Sequence, residues 1–168
     1  MSVVLELPDA AATRAFGARL AQLLRPGDLV VLAGALGAGK TTLAQGLAVG
    51  LGAIGQVASP TFIIAREHPA GLRPDGTPGI GLVHVDAYRL GGLDELDALD
   101  LDASLDDVVT VVEWGAGLVE ALSEDRLVVT LDRPRGAAGG VLDLSDSESG
   151  LRIATVEAVG KRWAGINL

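Results

Sequence analysis

The run Gly34-Ala-Leu-Gly-Ala-Gly-Lys-Thr41 meets the pattern G-x-x-x-x-G-K-[ST] at every fixed position. Glycines let the backbone close around a phosphate with its N–H groups pointing inward. The lysine reaches the outer phosphates, and the hydroxyl that follows it can ligate Mg²⁺. Such a loop works only where a strand feeds it and a helix leaves it. Both flanks comply: Asp28-Leu-Val-Val-Leu-Ala33 suits a buried strand, and Leu43, Ala44, Leu47 and Ala48 follow at helical spacing.

A second strand–helix pair precedes the loop. Val3–Leu7 reads as a strand, Pro8-Asp9 opens a helix with Asp9 as N-cap, and Ala12, Phe16, Leu20, Leu23 and Leu24 give it an apolar face. Pro26-Gly27 ends that helix, and Gly50–Gly55 reads as a turn after the loop helix. Further strands are expected near Phe62–Glu67, at Gly81–Asp86, Asp107–Glu113, Arg126–Leu131 and Leu151–Glu157, the last two paired antiparallel. Short helices are expected within Leu93–Leu105 and Gly117–Leu122, and loops at Pro69–Gly79 and Pro134–Gly150. The alternation predicts an α/β fold: a P-loop NTPase-like three-layer sandwich, its central sheet mainly parallel with antiparallel edge strands. The 168 residues are expected to form one domain spanning 1–168.

Composition narrows the chemistry. Cysteine is absent, which removes disulfides and thiolate metal sites. The net charge of −9 argues against a broad nucleic-acid footprint, which needs clustered cations. No apolar run approaches the ~20 residues that span a bilayer, and Ser2–Pro8 lacks the basic start of a signal peptide, so a cytoplasmic protein is expected.

Ligands of α/β sheets collect beyond the carboxyl ends of the strands. Two expected strands end there in an acid after hydrophobic residues, Leu82-Val-His-Val-Asp86 and Val109-Thr-Val-Val-Glu113. Either acid could hold Mg²⁺ opposite Thr41, leaving the other to orient or deprotonate water. Ser59-Pro-Thr61 is either a phosphate-sensing loop or a turn, and Arg89, beside Tyr88, could meet a phosphate, a partner or a surface acid. His84 reads as a core hydrogen-bonder, and Trp114 as core or stacking. The acids Asp94, Glu95, Asp97, Asp100 and Asp102 read as a solvated face or a docking surface for something basic.

Together, Leu36-Gly-Ala-Gly-Lys-Thr-Thr-Leu43, Ser59-Pro-Thr-Phe62, His84-Val-Asp-Ala-Tyr-Arg-Leu90 and Val112-Glu-Trp114 resemble the TsaE family, also called YjeE. These are small bacterial P-loop ATPases needed to make threonylcarbamoyladenosine on tRNA. The resemblance runs from about Leu5 to Trp114 and then thins. It implies ATP and Mg²⁺ as cofactors, with Gly37, Ala38, Gly39, Lys40, Thr41 and Thr42 on the phosphates and Ala10 beside the nucleotide. It places Thr41 and Glu113 on the metal, with Lys40, Asp86 and Glu113 needed for hydrolysis. Ser59 and Thr61 would lie in a switch-like loop, and Trp114 near the site. The implied partners are TsaB and TsaD, the transferase pair that hydrolysis resets between turnovers; tRNA is met only indirectly, and neither membrane nor DNA is implied. The chain departs from the family at Ala35, commonly an acid, and at Ala87, commonly bulky and apolar. A small-metabolite or nucleoside kinase would share the P-loop, but such kinases usually begin with the P-loop strand. No Asn-Lys-x-Asp guanine-reading motif occurs, which disfavours a GTPase. A nucleotide-dependent interaction module with negligible turnover is the third alternative.

Overall fold

The computed structural model describes residues 2–58, 65–87, 106–113, 123–134 and 149–168. In chain order these form β1 (Ser2–Asp9), α1 (Ala10–Leu20), β2 (Leu29–Ala33), α2 (Lys40–Leu51), β3 (Ala65–His68), β4 (Gly81–Asp86), β5 (Val108–Glu113), β6 (Arg126–Asp132) and β7 (Ser149–Val159). A short 3₁₀ turn follows α1, and another, Lys161–Trp163, follows β7. The expectations at 59–64, 88–105, 114–122 and 135–148 lie outside the described residues, including Ser59, Thr61, Tyr88, Arg89, the acidic run and Trp114.

One seven-stranded sheet runs in the order β1-β7-β6-β2-β5-β4-β3. β2 pairs in parallel with β5 on one side and β6 on the other, and β4 continues the parallel set beside β5. The outer pairings are antiparallel: β1 with β7, β7 with β6, and β3 with β4. The expected parallel centre with antiparallel edges is therefore present, and both edges carry it. Central parallel strands are covered on both faces, which explains why Leu29–Leu32 is an unbroken buried apolar run.

Alternation along the strands sorts the core. Val30, Leu32, Leu82, Val109, Val111, Leu127 and Val129 face the two helices and pack with Phe16, Leu20, Leu43, Leu47 and Leu51. Leu29, Val31, Val83, Val85, Ala87 and Val112 form a second buried cluster. The same period of two places His84 and Asp86 with Leu82, and Glu113 with Val109 and Val111, on the face of α2. That choice of face brings both acids to the glycine loop at the start of α2.

Asp9 caps α1 as expected, accepting the Ala12 N–H at 2.7 Å. Pro8 coincides with a register shift in β1 between Leu7 and Asp9, where a residue without an N–H interrupts the ladder. The turn expected from Gly50 begins later. Helix α2 continues to Leu51 and ends on Gly52, whose φ of 71° supplies the left-handed cap. Gly50 has a different job: a Cβ there would lie 2.6 Å from the Ala18 carbonyl oxygen, so its bare Cα lets α1 and α2 approach closely. Strand β7 likewise begins at Ser149, earlier than the expected Leu151.

Candidate functional site: a glycine loop facing two strand-end acids

The glycines of the loop answer different needs. Gly34 has φ +142°, and a Cβ on it would run into the Leu131 carbonyl oxygen of β6. Gly39 has φ +107° and caps α2 from the left-handed region without any side-chain hydrogen bond. Helix α2 therefore offers its first N–H groups and positive dipole end to whatever sits in the loop. Nothing lies within 4 Å of a Cβ on Gly37, which faces open space. Ala38 is buried, Thr42 half-buried and Leu36 fully outward at 93% exposure.

Lys40 is 5% exposed, and its Nζ donates to the carbonyls of Gly34 at 2.8 Å and Ala35 at 3.0 Å. The ammonium thus braces the loop from inside. Burial pulls its pKa below the ordinary lysine value, while the charges of Glu113 and Asp86 work in the opposite direction. Those two carboxylates are 4% and 8% exposed and occupy matched positions at the ends of parallel neighbours β5 and β4. The Thr41 hydroxyl faces Oε1 of Glu113 at 3.4 Å. The structure therefore brings Lys40, Thr41, Asp86 and Glu113 together, as expected from the sequence.

This donor set fits a magnesium ion. Mg²⁺ prefers hard oxygen ligands at about 2.0–2.1 Å, so two neighbouring ligands of an octahedron lie about 2.9 Å apart. A small inward movement of Thr41 and Glu113 would meet that spacing. Among the described residues no three His, Asp or Glu side chains form a cage of their own. A Mg²⁺ held here would take phosphate oxygens and water to complete its shell.

Ala10, the first residue of α1, is buried. Its neighbour Asp9 interacts electrostatically with Arg152 of β7, and the Arg152 guanidinium packs against the loop: Nε lies 3.4 Å from a Cβ built on Gly39. Arg152 is 1% exposed and donates from Nη1 to the Gly150 carbonyl at 2.7 Å. Burial and the nearby Arg133 and Arg14 lower its pKa, and Asp9 opposes them. Sequence reasoning missed this residue, because nothing in the pattern of β7 says that the strand returns beside the P-loop. His84 was read only as a core histidine. It is completely buried, but its Nε2 lies 2.8 Å from Oε1 of Glu113. The available signal was its i, i+2 spacing to Asp86, which sets both on one face.

Residues 7–138 match the family described as threonylcarbamoyl adenosine biosynthesis protein TsaE. The chain belongs to the TsaE family. A TsaE protein of Streptomyces coelicolor is 57% identical over 152 residues, covering 90% of this chain and 93% of that protein. TsaE of Mycobacterium tuberculosis is 50% identical, covering 76% of this chain and 77% of its own. TsaE of Bacillus subtilis is 39% identical, covering 90% and 82%. The crystal structure of Bacillus subtilis YdiB superposes with a TM-score of 0.67 at 30% identity, over 97% of this chain and 89% of that one. The TsaE match reaches past Trp114, where the motif resemblance thins, into the strand β6 that lines the P-loop. Ala35 and Ala87, the departures from the family pattern, leave the constellation intact: Ala35 meets Lys40 through its backbone carbonyl, and Ala87 is buried in the second core cluster.

Proposed function

We propose that this TsaE-family chain is a Mg²⁺-dependent P-loop ATPase acting in the formation of threonylcarbamoyladenosine on tRNA. Its nucleotide state would control docking to a transferase complex of TsaB and TsaD, resetting that complex between turnovers. The observation that carries the ATPase reading is the meeting of Thr41 with Glu113, 72 residues apart in sequence, at the mouth of a glycine loop braced by Lys40. The names of the relatives support the pathway. A cytoplasmic setting follows from that pathway; among the described residues no helix is long and apolar enough to cross a membrane. The acidic net charge of −9 favours contact with tRNA through partners rather than directly.

In this mechanism the backbone N–H groups from Gly34 to Thr42 hold the phosphates, and the α2 dipole adds to their pull. Lys40 turns from its own loop carbonyls toward the β- and γ-phosphates. Thr41 and Glu113 would hold Mg²⁺, which would neutralise charge on the phosphate oxygens as the γ-phosphoryl group passes to water and ADP departs. Asp86, beside Glu113 on the next strand, orients the attacking water and accepts its proton. Side chains on three separate elements must hold still for this, and each sits at the end of a buried strand or the start of a buried helix. Such a site binds readily and turns over slowly until a partner completes it.

Calorimetry with ATP, with and without Mg²⁺, tests the binding step. Phosphate release measured alone and with TsaB–TsaD tests the regulated step; stimulation by the pair is expected. Rapid transfer to a small-molecule acceptor in the absence of partners would instead establish a kinase.

A further inference from the structure

His84 sits on β4 two residues before Asp86 and approaches Glu113 diagonally, because β4 and β5 run parallel with Asp86 opposite Glu113. Its Nε2 lies 2.8 Å from Glu113 Oε1, while Nδ1 is buried without a hydrogen-bond partner. A neutral imidazole has one proton to place. On Nε2 it makes a hydrogen bond to the carboxylate. On Nδ1 it would bury an unmet donor and set the Nε2 lone pair against those of Oε1. The arrangement therefore selects the Nε2–H form. The oxygen that accepts this bond is the one that faces Thr41 Oγ1. The other buried histidine of the chain, His68, pairs with the backbone carbonyl of Ile54, as a purely structural histidine does.

We infer that His84 is a positioning residue: by donating from Nε2 it holds the Glu113 carboxylate facing Thr41, set to receive a divalent cation. This rests on the Mg²⁺–ATP reading of the site. Partners of this kind fix the orientation of metal-binding groups, and losing one typically weakens metal affinity about 10–100-fold.

The test titrates Mg²⁺ against a fluorescent ATP analogue bound to wild type, H84L and H84Q, with thermal melts alongside. H84L is expected to weaken apparent Mg²⁺ affinity about 10–100-fold while leaving nucleotide affinity without Mg²⁺ unchanged. H84Q, whose amide N–H can replace Nε2–H, is expected to recover much of the loss. In an E113Q background, H84L is expected to add nothing further. An H84L variant with unchanged Mg²⁺ affinity overturns the inference, as does one that loses Mg²⁺-free binding equally. Nitrogen-15 NMR of the wild-type histidines gives an answer even where H84L does not fold: a His84 whose Nε2 carries no proton overturns the inference. If wild type shows no Mg²⁺-dependent nucleotide binding, the Mg²⁺–ATP reading fails, and the tautomer measurement still decides the His84–Glu113 bond separately.

Discussion

Thr41, at the start of α2, and Glu113, at the end of β5, face each other across 3.4 Å although 72 residues separate them. This distance is long for a hydroxyl hydrogen bond, so the pair gains little from being left alone together. On the proposed reading, its value lies in supplying two oxygens to a bound Mg²⁺. Replacing Glu113 with Gln keeps the shape and removes the charge. ATP hydrolysis is expected to fall by about 100-fold or more, the scale of losing one electrostatic contact to a reacting group. Single-turnover phosphate release measures this, and near-normal turnover would remove Glu113 from the metal.

On the proposed ATPase reading, Lys40→Ala would remove a charge-assisted contact to phosphate worth about 1.5–3 kcal/mol, so ATP affinity is expected to drop roughly 10- to 150-fold. Hydrolysis should vanish. Stability should change little by comparison, since the buried ammonium carries a desolvation cost that the substitution also removes. A large fall in melting temperature would mean that the loop carbonyls of Gly34 and Ala35 depend on the lysine more than the phosphates do.

Gly50→Ala ought to stabilise a helix by about 1 kcal/mol on propensity alone. Here the new methyl would meet Ala18 O and the Ala21 Cβ, each at 2.6 Å. Overpacking of this kind costs about 1–3 kcal/mol, and the expected sign is net destabilisation. Urea melts of the single variant settle the sign.

These cases show what could be read from the chain alone. Buried parallel strands announce themselves as apolar runs, so β2, β4 and β5 and the acids at their tips were legible from spacing. Gly50 was not, because a glycine that permits close helix packing looks the same in sequence as one that makes a turn. The His84–Glu113 contact, 29 residues apart, depends on how β4 and β5 register, which no local pattern encodes. Arg152 was hidden for a related reason: its meaning comes from which strand ends up beside the P-loop.

Arg162 grips Asp28 with two hydrogen bonds, Nε to Oδ1 at 3.1 Å and Nη2 to Oδ2 at 2.8 Å, and also reaches the Leu23 carbonyl. The guanidinium lies over the Trp163 ring, 4.3 Å from its centroid. Asp28 is 7% exposed, so Asp28→Ala would strand a largely buried cation and is expected to cost about 3–5 kcal/mol. Arg162→Lys cannot rebuild the fork and should recover little of the contact. Denaturant unfolding of both variants checks this; near-native stability in Asp28→Ala would show the pair to be dispensable.

Burial lowers the pKa of His68 below its ordinary 6.5, with the Ile54 carbonyl acting against the shift. The unfolded chain therefore binds a proton more readily than the folded one between those two values. Stability should fall as pH drops through 6.5 toward the lowered value, by at most about 1.4 kcal/mol per pH unit from this group. His68→Gln lacks the titration and should lose less stability over that interval. Equal acid losses in melts at pH values on either side of the window would assign the effect elsewhere.

Among the described residues, β1 hydrogen-bonds into the sheet through β7, which in turn leans on β6. Along the sequence, β1 (Ser2–Asp9) lies far ahead of its neighbour β7 (Ser149–Val159). During synthesis β1 must wait, unpaired, until the stretch between them and β7 itself have been made. Long-range closure of this sort slows folding and leaves a sheet edge open to other chains meanwhile. Translation speed through the stretch between β1 and β7 should thus influence how much of this protein reaches its native form.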